Sequence, residues 1–406
     1  MVDKKASYKK SILKQLYFSP ALSCADLCDL LDKSLPLITK LIGELIKEGK
    51  VIEIGLAPST GGRRPSMYSI KPGIQYIVAL SMDQLITRIA LMDMQNNLIG
   101  EVKRIDLPLA KNPFALTVLK EEIEKFISNL SIDRDKIVGI GIGMPGFIDV
   151  NKGINYSFLQ TSAGSITQYI SESIGLPVFI DNDSSLIALA ELRFGAVEDK
   201  KNVMVVNMGW GVGLGLILDS ALYRGDNGFA GEFSHIPLFT NNKLCSCGKH
   251  GCLETETSLL VLIEKAKEGL EAGRVSSLKG IPFDNPEEAN NQIIKAAIEG
   301  DQFAVELLSE IGFKIGKGVA ILIHLLNPKL IVLSGRGSLA GKIWQAPMQQ
   351  ALNEFCIPKL AHNITIEVSK LGFNAELIGA ATLVMENFET IKKCKLSIPN
   401  MEESLV

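Results

Sequence analysis

Three cysteines, Cys245, Cys247 and Cys252, fall within eight residues of a segment that also holds Gly248 and Gly251. Thiols crowded into a polar, glycine-flanked loop are poorly explained as free buried side chains. Deprotonated, they supply three corners of a tetrahedral metal site. A fourth corner is available from His235, ten residues before the first cysteine, or from His250 inside the string. Four such ligands make a closed, structural Zn2+ site, so the fold has to turn residues 235–252 back on themselves. The other cysteines, at 24, 28, 356 and 394, are scattered and the total of seven is odd, so no disulfide framework is indicated. A reducing cytoplasm fits this usage, with structural zinc as the expected cofactor.

At 406 residues the chain has room for two or three units of ordinary size. With 47% hydrophobic and 21% charged residues it has the composition of a folded protein rather than a disordered one. The most apolar stretch, residues 203–218, is broken by Asn207, Gly209, Gly211, Gly213 and Gly215 and falls short of the roughly 20 residues that a membrane span needs. The start, with Asp3, Lys4 and Lys5, has no apolar signal region, so neither secretion nor a membrane partner is expected. A net charge of −3 conceals an asymmetry, because residues 1–72 carry twelve Lys/Arg against seven Asp/Glu. A basic head on an acidic body points to an anionic partner, with nucleic acid first.

That head is expected to form three helices and a hairpin. Residues 8–17 carry Ile12, Leu13, Leu16 and Tyr17 at helical spacing, and Pro20 ends the run. Ser23 reads as the N-cap of a second helix, with Asp26 at its third position and an apolar face of Leu27, Cys28, Leu30 and Leu31. Ser34 can cap a third, with Pro36 in its first turn and Leu37, Ile38, Leu41, Ile42, Leu45 and Ile46 following until Gly49. Residues 51–54 and 67–70 then flank a loop and make a wing. In a winged helix-turn-helix the third helix enters the major groove, which makes Ser34, Leu37, Thr39 and Lys40 candidate DNA contacts. Leu37 reads equally as core or as a contact to a thymine methyl. Arg63 and Arg64, held at the wing tip by Gly61, Gly62 and Pro65, suit a narrow minor groove. The competing reading is a helical bundle that dimerises through a basic hairpin.

Beyond residue 75, apolar runs at 76–80, 87–92, 137–142, 178–180, 203–207 and 330–333 alternate with helical patterns, which implies an α/β fold. Several strings are more specific. Gly143-Met144-Pro145-Gly146, Asp181-Asn182-Asp183, Gly209-Trp210-Gly211-Val212-Gly213, Gly231-Glu232-Phe233-Ser234-His235 and the Cys245-to-Glu254 string stand in the order seen in the ROK family of repressors, open reading frames and kinases. The resemblance spans residues 76–385 and closes on Ala375-Glu376-Leu377-Ile378-Gly379-Ala380-Ala381, while the head resembles the family's repressor branch. It implies a two-lobed actin-like, ribonuclease-H-like fold of the ATPase-type sugar kinases behind the winged helix-turn-helix. The implied domains are 1–72 for DNA binding, 73–190 for a first lobe completed by a helix at about 376–390, and 191–375 for a second lobe with the zinc loop. The resemblance favours His235 over His250 as the ligand joining Cys245, Cys247 and Cys252. It also assigns sugar hydroxyls to Asn182, Asp183, Glu232, His235 and Glu254, with His235 using one ring nitrogen for sugar and the other for zinc. Against this stands the plainer reading that these carboxylates only cap loops.

The kinase pattern fails at one place. ROK kinases follow their first strand with Asp-x-Gly-Gly-Thr, whose backbone amides and hydroxyl cradle ATP phosphates. The matching residues here are Ser81-Met82-Asp83-Gln84-Leu85, which restore side chains to the turn and place an acid where phosphates would sit. Trp210 stands where the kinases usually carry Thr, and the nucleotide-side loop reads Leu333-Ser334-Gly335-Arg336-Gly337-Ser338. Without a positioned donor Asp183 is a vestigial base, and no catalysis is expected. The resemblance therefore implies a sugar-responsive transcriptional regulator of the repressor type, a homodimer or higher oligomer that binds an operator and a sugar or sugar phosphate. The rival readings are an active ATP-dependent sugar kinase with an accessory DNA-binding domain, and a regulator controlled by a partner protein.

Overall fold

A computed structural model describes residues 4–59, 64–161, 164–197 and 200–391. The chain forms two compact units, Met1–Asp181 with Ala380–Val406, and Asn182–Gly379. The first begins with the head. Helix α1 (Lys4–Phe18) buries Ile12, Leu13, Leu16 and Tyr17, and starts earlier than the apolar spacing indicated because the polar residues before Tyr8 include no helix breaker. Strand β1 (Leu22–Ser23) leads into α2 (Cys24–Leu31), where the Ser23 hydroxyl accepts from Asp26 N–H while the Asp26 carboxylate accepts from Ser23 N–H. This reciprocal box satisfies two amides that a helix start leaves unpaired. Of the expected apolar face only Leu27 is buried. Leu30 is 53% exposed, because a helix of two turns cannot present all four residues to one side.

Helix α3 (Leu35–Lys47) buries Ile38, Leu41, Ile42 and Leu45, while Ile46 lies exposed. Ser34 caps it with its carbonyl, which accepts from the Leu37 and Ile38 amides, and its hydroxyl makes no cap bond. Strands β2 (Val51–Leu56) and β3 (Ser66–Ile70) pair antiparallel as the wing, and β3 also pairs with β1, giving sheet order β1-β3-β2. The remaining elements of this unit are β4 (Tyr76–Met82), β5 (Ile86–Asp93), β6 (Leu98–Asp106), α4 (Ala115–Ser128), β7 (Ile137–Met144), β8 (Ile148–Asp149), β9 (Ile154–Asn155), α5 (Ile166–Ile174) and β10 (Val178–Asn182). Their five-stranded sheet has the order β10-β7-β4-β5-β6. Leu119, Ile123 and Phe126 of α4 and Ile170 of α5 pack with Val78, Leu80, Ile140 and Ile142 to form its core.

The second unit contains α6 (Asp183–Phe194), β11 (Val203–Met208), β12 (Val212–Leu218), β13 (Ala221–Tyr223), α7 (Glu254–Thr257), α8 (Leu259–Glu271), α9 (Pro286–Ile298), α10 (Gln302–Leu326), β14 (Leu330–Ser334), α11 (Lys342–Phe355), α12 (Pro358–Ala361), β15 (Thr365–Val368) and the start of α13 (Ala375–Glu386). Its sheet runs β13-β12-β11-β14-β15, with β11-β12-β13 antiparallel and β11-β14-β15 parallel. The first unit repeats this plan: an antiparallel meander β4-β5-β6 whose first strand also pairs parallel with β7. Two sheets of this order are the ribonuclease-H-like plan that the resemblance implied. Strands β6, β13 and β15 had no counterpart among the apolar runs, because they lie at sheet edges and are largely exposed or half-buried. Among the described residues no helix is long and apolar enough to cross a membrane.

Candidate ligand and metal site

His235 closes a single 3-10 turn, Phe233–His235, and the three cysteines follow in a loop that folds on itself. Cys245 N–H donates to the Lys249 carbonyl at 2.8 Å and Gly248 N–H to the Cys245 carbonyl at 2.9 Å. Gly251 holds φ at +74°, and a Cβ there would stand 2.0 Å from the Phe239 carbonyl oxygen, so only glycine fits. The ligand atoms of His235, Cys245, Cys247 and Cys252 all lie within 4.8 Å of one another. Cys245 Sγ is 3.4 Å from His235 Nδ1, and Cys247 Sγ is 3.6 Å from Cys252 Sγ. Around a tetrahedral ion with bonds of about 2.0–2.3 Å, neighbouring ligands stand roughly 3.6–3.8 Å apart, so the set fits a metal. Burial and the neighbouring sulfurs of Cys247 and Cys245 push the Cys252 thiol up to about 12, a cost that a bound cation offsets. His250 lies outside the group, exposed, with Nδ1 3.1 Å from the Asn242 carbonyl oxygen.

The same turn and loop also bring two carboxylates together. Phe233 and Leu253, both buried, meet over α10 where Gly318 leaves room: a Cβ there would stand 2.9 Å from each side chain. Glu232 and Glu254, their chain neighbours, are positioned by that packing. The start of α6 supplies a third carboxylate. Asn182 caps the helix, its Oδ1 accepting from the Ser184 and Ser185 amides at 3.0 and 3.2 Å, and Asp183 follows as the first helical residue. Asp183 Oδ1 accepts from Ser184 N–H at 2.7 Å, and its Oδ2 accepts from Asn207 Nδ2 at 3.4 Å. Burial and the charges of Asp183 and Glu254 push Glu232 up to about 7, although 40% of its side chain meets solvent. His235 Nε2 lies 3.6 Å from Glu232 Oε2, so one imidazole faces the carboxylates with one nitrogen and the cysteines with the other.

The expected residues Asn182, Asp183, Glu232, His235 and Glu254 are thus gathered in one unit. Three carboxylates, an amide and an imidazole form a set of acceptors and donors suited to a ligand rich in hydroxyl groups. Sequence reasoning missed Asn207, whose available signal was an amide side chain inside the otherwise apolar run of β11.

In the first unit, the β4–β5 turn is occupied by its own side chain. Asp83 Oδ1 accepts from the Leu85 and Ile86 amides at 2.7 and 2.8 Å, and Asp83 N–H donates to the Ile86 carbonyl at 3.0 Å. The carboxylate therefore caps the turn instead of standing open as a bare charge. In the head, Ser34, Thr39 and Lys40 lie exposed at the start of α3, and Leu37 is half-buried. Arg64 is exposed and donates to the Ala57 and Leu56 carbonyls at 2.5 and 3.2 Å, which folds it along the wing. Arg63 lies outside the described residues.

These elements define an α/β protein of the sugar-kinase type preceded by a winged helix-turn-helix. The ROK family model matches residues 87–387, and the chain belongs to that family. It is 31% identical over 393 residues to the xylose repressor of Caldicellulosiruptor bescii, a match covering 93% of this chain and 95% of that protein. A glucokinase from Halalkalibacterium halodurans is 31% identical over 281 residues, 68% of this chain and 85% of that enzyme. A solved ROK family transcriptional regulator, described as a homolog of the E. coli MLC protein, aligns with a TM-score of 0.75 at 26% identity, covering 94% of this chain and 97% of that one.

Proposed function

We propose that this chain is a sugar-responsive transcriptional repressor. Residues 1–72 bind operator DNA through Ser34, Leu37, Thr39, Lys40, Arg63 and Arg64. The body, residues 73–390, binds a sugar or sugar phosphate through Asn182, Asp183, Glu232, His235 and Glu254, all of which lie in the unit Asn182–Gly379. Zinc held by His235 Nδ1, Cys245, Cys247 and Cys252 supplies a rigid cross-link beside Glu232 and Glu254 and no catalysis. The protein acts as a homodimer or higher oligomer, since two heads read two half-sites.

The observation that carries this reading over catalysis is the self-capped β4–β5 turn. A phosphate cradle needs free backbone amides, and those of Leu85 and Ile86 are taken by Asp83. Relatedness along 93% of the chain to a protein named xylose repressor supports the same reading. The second reading, a sugar kinase carrying a DNA-binding head, draws its support from the glucokinase relative.

Fluorescence anisotropy on DNA from upstream of its own gene, titrated with xylose, glucose, N-acetylglucosamine and their phosphates, separates the two. One of these is expected to change operator affinity by about tenfold, within the usual range of allosteric coupling. ATP-dependent phosphorylation of any of the sugars, abolished by Asp183→Asn, would establish the kinase instead. Failure to bind DNA at low salt would end the repressor reading.

A further inference from the structure

Gly335, at φ +77°, turns the chain out of β14 into a short 3-10 segment, Arg336–Ala340. Arg336 is only 6% exposed, and a guanidinium buried to that extent needs partners. Its Cζ lies 4.7 Å from the centroid of the Trp210 ring and 4.5 Å from that of Phe373, and Nη1 donates to Glu287 Oε1 at 2.6 Å. A planar, weakly hydrated guanidinium suits a place beside two aromatic rings and a carboxylate better than a strongly hydrated lysine ammonium does.

Two short relays lead from this place to the carboxylates of the ligand site. Trp210 precedes Gly211, and a Cβ on Gly211 would stand 2.7 Å from Glu254 Oε2, so the Trp210 turn and the Glu254 carboxylate are in direct contact. Gly335 precedes Arg336, and a Cβ on Gly335 would stand 2.1 Å from Asn207 Oδ1. The other end of that amide, Asn207 Nδ2, donates to Asp183 Oδ2 at 3.4 Å and to Ser184 Oγ at 3.1 Å. Asn207 is 8% exposed and is held between the loop and the carboxylate. The turn at 209–211 is also tied to α8, whose Leu259 N–H donates to the Gly209 carbonyl at 3.0 Å.

We propose that Arg336 is a positioning residue for the sugar site: clamped between Trp210 and Phe373 and paired with Glu287, it fixes the 209–211 turn and the 335–338 loop, and through them Glu254 and Asp183. The chain's own guanidinium orders the loops from inside, so the carboxylates are placed without a bound nucleotide. This inference rests on the sugar-binding reading of those carboxylates.

The test uses full-length, zinc-loaded protein, isothermal titration with D-xylose and D-glucose, and tryptophan emission, to which Trp210 contributes. Arg336→Ala is expected to bind whichever sugar the wild type binds about tenfold more weakly, the effect of one desolvated cation–π contact. Its tryptophan emission shifts as well. Millimolar ethylguanidinium, a planar cation that can re-enter the slot, restores both signals, tetramethylammonium restores neither, and Arg336→Lys behaves like Arg336→Ala. Both signals are read beside zinc stoichiometry, which a collapse of the fold lowers and loss of the Arg336 contacts alone leaves at the wild-type level. Sugar affinity within twofold of wild type in a folded, zinc-loaded Arg336→Ala overturns the proposal, as does rescue of the emission without the affinity. If Arg336→Ala does not fold, Phe373→Leu removes one wall and leaves the Glu287 pair. A loss of about threefold is then expected, and no loss overturns the proposal. If the wild type binds neither sugar, the titrations are run with N-acetylglucosamine and the sugar phosphates; a wild type that binds none of them defeats the ligand reading and this inference together, whereas binding by wild type with an unaffected variant defeats this inference alone.

Discussion

His235 commits both ring nitrogens, Nδ1 at 3.4 Å from Cys245 Sγ and Nε2 at 3.6 Å from Glu232 Oε2. On the proposed reading a substitution there therefore acts on both metal and sugar, and one at Glu232 on sugar alone. His235→Asn is expected to release the metal to a chromogenic chelator, lower the melting temperature and weaken ligand binding together. Glu232→Gln keeps the metal at full stoichiometry and weakens sugar binding by about tenfold, the value of one charge-assisted hydrogen bond. Coincident loss of metal in Glu232→Gln would show that the two groups of residues are not separable. At this scale the group that could hold a metal was legible because three cysteines in eight positions leave few alternatives. Arg336 and Glu287 were not, because their meaning lies in partners far along the chain: an arginine after a glycine carries no signal until Trp210 and Phe373 are beside it, and Asn207 offered only its polarity within an apolar run until Asp183 stood next to it.

Among the elements, α10 depends most visibly on a single cap. Asp301 accepts from the Ala304 and Ser277 amides at 3.0 and 2.7 Å and from the Ser276 and Ser277 hydroxyls at 2.9 Å. Burial alone would raise this carboxyl, but the donors outweigh it and hold it at about 2. Its folded-state value is thus below the ordinary aspartate value of about 3.9, so its contribution is complete above pH 4 and fades as pH falls toward 2. Asp301→Ala is expected to cost about 1–2 kcal/mol at pH 7, as N-cap losses do, and less at pH 3. Urea denaturation at the two pH values measures this, and an equal loss at both would remove the ionised cap as its cause. Caps were also what made the head readable, since Ser23 and Asp26 advertise the start of α2 in the sequence. The edge strands β6 and β15 were hidden for the opposite reason: a strand with one neighbour and little burial needs no apolar run, so composition leaves no trace of it.

For the molecule as a whole, charge and linkage constrain the function more tightly than any contact does. Residues 1–72 carry a net +5 on a chain whose total is −3, so operator binding through the head releases counterions and weakens as salt rises. Lys40 is exposed near the start of α3, and Lys40→Ala is expected to reduce the slope of log affinity against log salt by about 0.9, the value of one phosphate contact. An unchanged slope would place Lys40 away from the backbone. The coupling between the head and the ligand site is subject to a stricter test, because binding free energies are state functions. If a sugar lowers operator affinity tenfold, operator DNA must lower sugar affinity by the same factor. Titrating the sugar into free protein and into the operator complex at one salt concentration measures both sides of that cycle. Equal factors are expected when a single protein equilibrium links the sites. A sugar that displaces DNA while its own affinity is unaffected by saturating operator is acting on something other than this protein's conformational equilibrium, such as the DNA itself or a contaminating ligand, and the sensor role of Asp183, Glu232 and Glu254 would then have to be abandoned.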